Sequence, residues 1–545
     1  MKKGAVPKVR GSPFRERGKC DSIGGMKRKQ SKATFKAYTQ NQLMLPTNLN
    51  ELIPEKHLVR VVNEVIDEMV LETLLDQYKG GGTSSYHPKM MLKVLVYAYT
   101  QKEYSSRRIA KALRENINYM WLSGGNKPNF RTINRFRGVV MKTVIAEVFT
   151  EVLEYLLGHG YVQMENYFID GTKIEANANR YSFVWRKSTE KYKQKLEEKV
   201  RELLEEAERE NAAEEEQYGE KDLEELGEEA EIDSEGLKEL AKRLSEKLKE
   251  KPEDKQIKKA VKKLERDFIP RMEKYERYED SFEGRNSFSK TDEDATFMCM
   301  KEDHMRNRKL KPGYNVQIGT EHQFVLGYSI HQRPGDGPCL IPHLEQMLTQ
   351  YGRLPKKVIA DAGYGSEENY AYLEDQEVEA YVKYGTYDRE QKKRRKIPER
   401  ETYWSSSWEY DEQQDEFTCP QEKRLTYQFT QTVRSENGYR AKRKVYQCTE
   451  CEHCPVRTQC TRSQYGRRVR FSLPLRKYRQ TASERLQSPE GKDLRSQRLV
   501  EAEAVFGQLK HNWGFRRFLL RGLDKVKTEW GLLCLAHNIA KLAAV

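Results

Sequence analysis

Two stretches of this chain carry three apolar residues into a single aspartate: Tyr167-Phe168-Ile169-Asp170 and Val358-Ile359-Ala360-Asp361. A carboxylate that closes a buried strand sits on a rigid scaffold and can be held in place for a hard cation such as Mg2+. Asp170-Gly171 alone also reads as a hairpin turn, because Asp-Gly favours that geometry. The second aspartate, and a glutamate on a late helix, turn the reading toward chemistry. Three such carboxylates suit a pair of divalent ions, Mg2+ with Mn2+ as a substitute, which activate an attacking oxygen and stabilise a leaving one at phosphorus. That chemistry belongs to metal-dependent nucleases and transferases.

The glutamate comes from Arg495 to His511, which reads as one helix with Leu499, Ala502, Phe506 and Leu509 on one face. Glu501 and Glu503 compete. At about 100° per residue Glu503 falls at the border of the apolar stripe and Glu501 points away to solvent, so Glu503 is the expected ligand. Lys510, two turns on, is placed to grip a phosphate. Trp513, Arg516, Arg517 and Arg521 then mix cations with aromatics, which suits backbone contact plus stacking on an unpaired base. The same composition also describes a buried aromatic hinge with exposed arginines.

Of nine cysteines, Cys448, Cys451, Cys454 and Cys460 are clustered. Four thiolates this close suffice for a tetrahedral structural Zn2+, with Cys419 or His453 as a substitute ligand. An unmetallated knuckle and an iron–sulfur cluster are the other readings.

The elements that must position these groups give an α/β chain. Residues 1–35 form a basic arm without apolar periodicity, and 36–160 a helical domain. There, Pro88 opens one helix, Ser105 caps another, and Thr132 begins a longer one. Arg107, Arg108, Arg135 and Arg137 near helix starts suggest a helix-turn-helix-type DNA reader, against the alternative of an ordinary helical bundle. From 161 to 545 the order is strand with Asp170, hairpin, helix, strand with Asp361, helix, strand and a final helix, the order of an RNase H-like mixed sheet. Two stretches interrupt it. Residues 187–280 carry narrow leucine seams between charged faces, a coiled-coil-like helical insertion, and 384–490 form a basic, Cys-rich insertion that includes Lys392-Lys393-Arg394-Arg395-Lys396.

The 545 residues carry a formal charge of +14 despite an acidic block from Glu202 to Glu231, which points to a polyanionic partner. No apolar run approaches the roughly 18 residues of a membrane span, and no signal core opens the chain, so a cytoplasmic protein is expected.

Together these motifs resemble the DDE transposases of bacterial insertion sequences, from about Phe35 to the C-terminus. The resemblance rests on Tyr86-His87-Pro88, Tyr104-Ser105-Ser106-Arg107, Thr132-Ile133-Asn134-Arg135-Phe136-Arg137 and Phe168-Ile169-Asp170-Gly171-Thr172. It continues through Ser289-Lys290-Thr291-Asp292, Lys311-Pro312-Gly313-Tyr314-Asn315, Ala360-Asp361-Ala362-Gly363-Tyr364 and Glu503-x2-Phe506-Gly507-x2-Lys510. It implies an RNase H-like fold, two Mg2+ ions, and Asp170, Asp361 and Glu503 as the catalytic carboxylates. It also implies cleavage of double-stranded DNA at element ends, strand transfer to a target, a homodimer on paired ends, and a place at the bacterial nucleoid. A catalytically inactive DNA-binding relative and a nuclease without strand transfer are the rival readings. Relatives carry a Tyr-x2-Arg-x3-Glu-x6-Lys signature. Here Ser496 and Leu499 stand at the Tyr and Arg places, with Arg495 and Arg498 beside them.

Overall fold

The apolar runs around Asp170 and Asp361 pair with each other at the centre of a mixed sheet. The computed structural model describes residues 48–78, 85–218, 232–250, 254–300, 310–391, 402–405 and 408–545, the side chains of 206–218 and 250 excepted. The basic arm 1–35, the run Lys392–Lys396 and much of the acidic block lie outside the described residues. Strand β1 (Asn166–Glu175) pairs antiparallel with β5 (Leu310–Glu321) and parallel with β7 (Lys357–Ala360), which pairs parallel with β8 (Glu379–Val382). Strands β4 (Thr296–Cys299) and β6 (Phe324–His331) both add antiparallel to β5. These strands are buried on both faces, which explains why their sequences are continuous apolar runs.

The Asp170-Gly171 turn is not formed. β1 runs on through Glu175, and Asp170 lies opposite Ile318 in the ladder. The hairpin lies instead between β5 and β6, where His322 and Gln323 take φ of 52° and 62°, the left-handed pair of a tight two-residue turn. Glu321, just before it, accepts the backbone N–H groups of Gln163, Met164, Glu165 and Asn166 at 2.7–3.0 Å. One buried carboxylate thereby fixes where β1 begins. Gly319 has no alternative residue type, because a Cβ there would lie 1.7 Å from the Tyr167 ring.

Helices Pro88–Thr100, Met141–Gly158 and Leu523–Leu542 share one continuous hydrophobic core with the sheet, so the N-terminal helices have no separate core. Pro88 stands in the first turn of its helix as expected. Ser105 makes no capping hydrogen bond, and Asn129, not Thr132, caps the helix Phe130–Arg135 by accepting from the Thr132 N–H. Ile117–Leu122 adds a helix between the two that were expected to form a DNA reader. The motif Ser289–Asp292 holds the C-terminal helix: Asp292 accepts from the Tyr314 hydroxyl and the Gly522 N–H, and Asp294 from the Leu523 N–H. Among the described residues no helix is long and apolar enough to cross a membrane.

Besides a small cluster of Val184, Tyr278, Phe282 and Phe288, two further cores stand apart among the described residues. Strands β2 (Phe183–Trp185) and β3 (Ser287–Ser289) pair, and the described residues between them are mainly helical. Its seams do not form a pairwise hairpin. Leu196 and Val200, Leu237 and Leu244, and Val261, Leu264 and Phe268 meet in one core, a bundle of three helical passes. Further on, β9 (Glu409–Asp411), β10 (Glu416–Thr418), β11 (Arg424–Arg434), β12 (Arg440–Gln447) and β13 (Arg468–Phe471) form a five-stranded antiparallel sheet over a small aromatic core.

Candidate active site

The parallel register decides the geometry of the site. Phe168 pairs with Ile359, so Asp170 and Asp361 each lie two residues further along, level with one another and, by the two-residue period, on one face. Asp361 follows the last residue of β7 and accepts the Gly363 N–H at 2.8 Å. The third carboxylate arrives from a broken helix. The expected helix from Arg495 to His511 is interrupted: Pro489–Gln497 ends, Arg498 to Glu501 form a turn, and Ala502–Gly507 begins anew. Leu499 is therefore exposed instead of facing the core.

The break reverses the expected places of the two glutamates. Glu501 is buried and accepts the Gln323 N–H at 2.7 Å, where it braces the β5–β6 turn. Glu503 is the more exposed and faces the aspartates through Arg498. The Arg498 guanidinium lies 3.5 Å from Asp170, 3.6 Å from Asp361 and 3.3 Å from Glu503. Only 15% of that side chain is exposed, and its Nε has no partner among the described residues. One cation thus touches all three carboxylates, which converge on a single point with donors of the hard type that Mg2+ takes. Among the described residues no group of three His, Cys, Asp or Glu side chains is already arranged to hold a metal ion.

A fourth carboxylate stands close by. Asp336 accepts from Asn315 Nδ2 at 2.8 Å and Gln317 Nε2 at 3.2 Å. A Cβ at Gly171 would lie 2.2 Å from Gln317 Nε2 and 2.8 Å from Asp336, so the residue after Asp170 must be glycine. Tyr364 donates to Gln317, and burial, then Asp336, Asp170 and Asp361, push its hydroxyl well above the usual tyrosine range. Asp336 is not among the residues expected from sequence. Its only signal is the turn chemistry of Pro334-Gly335-Asp336-Gly337 after a strand.

The expected DNA contacts divide. Arg107, Arg108 and Arg135 are exposed, with Arg107 over the Phe130 ring. Arg137 and Trp513 are core residues: Arg137 donates to the Tyr104 carbonyl at 2.7 Å and faces the buried Glu529, whose carboxyl burial pushes up. Trp513 is buried and its carbonyl accepts from the Tyr104 hydroxyl, the aromatic hinge and not a stacking platform. Lys510 is also buried and donates to Thr172 Oγ1 at 3.0 Å, beside Asp170 on β1. Arg517 and Arg521 donate to backbone carbonyls of Ala176, Ala178 and Asn177, while Arg516 is exposed.

In the β-rich segment Cys419, Cys448, Cys451, Cys454 and Cys460 line one small cavity, together with Lys423 and Arg467. The Arg467 N–H donates to Cys451 Sγ at 3.3 Å. Burial and the neighbouring Cys451 thiol push the Cys448 thiol up to about 12.

A mixed α/β fold whose sheet carries two of three neighbouring carboxylates is consistent with an RNase H-like transposase. Comparison with known families narrows this. A family model described as a transposase DDE domain matches residues 418–543, and a transposase domain known as DUF772 matches residues 47–138. These matches indicate a DDE transposase of insertion-sequence type. The first match contains Arg498, Glu503 and Lys510, whereas Asp170 and Asp361 precede it. No curated protein and no solved structure matches the chain.

Proposed function

We propose that this transposase binds the ends of its insertion sequence as double-stranded DNA, cleaves there, and joins the freed 3′-hydroxyl to a target. Asp170, Asp361 and Glu503 are the catalytic carboxylates. The observation that carries this reading is their common contact with Arg498. Two Mg2+ or Mn2+ ions bound there would activate the attacking oxygen and stabilise the leaving one. Asp170 and Asp361 hold their oxygens level through strand register, and Glu503 closes the site from the helix beyond the break. Arg498 offsets part of the charge of the three acids and would be placed to meet the scissile phosphate beside them. Lys510, held by Thr172, adds fixed positive charge behind Asp170.

Arg107, Arg108, Arg135 and Arg516 supply exposed cations for DNA, and two copies of the chain act on paired ends. The cysteines around the β-segment cavity are soft donors fitted to one structural Zn2+, with Cys419 joining Cys448, Cys451, Cys454 and Cys460 as a candidate. A cell interior near the nucleoid is where such a protein acts.

Asp361→Ala tests the assignment. The variant should still shift element-end DNA on a gel while Mg2+-dependent cleavage falls by at least about a thousandfold, since a charge-stabilising group is removed from the centre. Mn2+ binding followed by electron paramagnetic resonance should weaken in parallel. Cleavage retained at the wild-type rate would overturn the site. Wild-type binding without cleavage would favour an inactive relative, and cleavage without joining a nuclease.

A further inference from the structure

Strand β11 is exposed along most of its length and β12 at Arg440 and Lys442, and the charge of the two strands is of one sign. Eleven residues of β11 span about 35 Å, close to one turn of B-DNA. The register sets Thr430, Thr432 and Arg434 opposite Lys444, Lys442 and Arg440, on one face. Lys444 is held by Asp415 at 2.8 Å. Arg434, Arg440 and Lys442 are exposed and, among the described residues, make no ion pair. Arg434 directly opposite Arg440 is a like-charge pair that costs stability until an anion lies across it. Exposed Tyr427 lies on the same face, with Lys444 over its ring, whereas exposed Phe429, Arg468 and Arg470 lie on the opposite face.

The far end of the ribbon is anchored next to the carboxylates. Asn437 at its tip donates to the Pro338 carbonyl at 3.2 Å, Tyr439 donates to Glu367 at 3.2 Å, and Arg333 contacts both Glu436 and Asn437. The loop that receives the tip carries Asp336. Its Gly337 lies against the Gly363 carbonyl, two residues from Asp361, so close that an added Cβ would be 2.9 Å away.

We propose that the face bearing Arg434, Arg440 and Lys442 is a duplex-DNA interface, where phosphates lie along the ribbon as the DNA enters the carboxylate centre. This rests on the transposase reading and adds a contact surface to it. A row of cations at strand spacing that make no ion pair among the described residues, with the exposed Tyr427 ring on the same face, matches a phosphodiester backbone better than a protein surface.

The test is fluorescence anisotropy of full-length protein on a mixed-sequence DNA duplex, titrated across salt concentration. The triple variant Arg434→Gln/Arg440→Gln/Lys442→Gln should bind roughly tenfold or more weaker. Its log–log salt slope should be shallower by about 0.9 for each phosphate that is no longer neutralised. Arg434→Lys/Arg440→Lys should keep the wild-type slope, because phosphate binding needs charge more than fork geometry. The single change Lys442→Gln should lower the slope by about one, and it guards against a triple variant that fails to fold. A control triple, Lys238→Gln/Arg243→Gln/Arg271→Gln, removes the same charge from the helical bundle, where each cation already has an acidic partner. That control should bind like wild type. Unchanged affinity and slope in the ribbon variants, or an equal weakening in the control, would overturn the ribbon interface while leaving the transposase reading intact. Wild-type protein that binds no duplex would bring down the transposase reading itself.

Discussion

The helical segment between β2 and β3 and the β-rich segment between β9 and β13 are both rich in charge, yet they handle it in opposite ways. In the bundle, Lys193 pairs with Glu279, Lys238 with Glu273, Arg243 with Glu239 and Arg271 with Asp267. Leucine seams from three passes fill its core. These pairs neutralise part of that surface, although exposed Lys255, Lys258, Lys259, Lys262 and Lys263 make no ion pair among the described residues, and the core stabilises itself. In the β-rich segment Arg434, Arg440 and Lys442 of the ribbon face solvent with no ion pair among the described residues, while Lys444 and Arg424 are paired, and the core is a handful of aromatics bordered by five cysteines. A segment with so little apolar burial needs another source of stability, and a segment with unneutralised cations needs an anion. On the proposed reading the first is a spacer and the second a DNA-contacting part.

The largest expected effect comes from the cysteines. Cys448→Ser with Cys451→Ser should unfold the β-rich segment, since a structural zinc site contributes on the order of 10 kcal/mol. Limited proteolysis should then cut between residues 408 and 471 while the helical segment stays intact. Zinc-free wild-type protein that resists the protease equally would erase this half of the comparison. A smaller effect is expected in the bundle. Leu264 is fully buried there, and Leu264→Ala should cost about 2–5 kcal/mol in urea unfolding. DNA cleavage should be unchanged; a fall in cleavage would mean that the bundle is more than a spacer.

The smallest effect separates both segments from the body that carries the site. Burial lowers His343 to about 3, and His331 and His537 to about 4, and all three lie in the body. These imidazoles are neutral when folded, whereas the unfolded chain protonates them below about pH 6.5. Stability should therefore fall as pH drops from about 6.5 toward 4, by about 1 kcal/mol per histidine at pH 5.5. Hydrogen exchange should show the body loosening before the bundle. His343→Gln should flatten the pH dependence by about one proton, and an unaltered slope would remove His343 from the account.

Much of the sheet was legible in the sequence because strands buried on both faces must be written as apolar runs, and the β5–β6 hairpin by its alternation. Asp170 and Asp361 stood out for the same reason. Glu503 was named on a premise that failed: helical phase was carried across Arg498 to Glu501, where the helix is broken. Glu501, assigned to solvent, is a buried brace for the β5–β6 turn. Arg137, Trp513 and Lys510 were read as surface groups from their types, although burial of such residues depends on partners that lie far off in the chain: Tyr104 for the first two and Thr172 for the third.

By itself the sequence determined which side chains were available: two aspartates at strand positions, a pair of glutamates, a knot of cysteines and an excess of cations. These follow from local pattern, which needs only neighbours within a few residues. The tertiary structure decided what was level with what. Strand register brought Asp170 beside Asp361, the break at Arg498 set Glu501 against the β5–β6 turn and Glu503 against the guanidinium that also meets both aspartates, and ribbon pairing lined Arg434, Arg440 and Lys442 along one face. The first depends on contacts between residues well over a hundred positions apart and the second on a local break in periodicity, neither of which leaves a local signature in the chain; the ribbon is a near-neighbour hairpin whose register its pairing alone fixes.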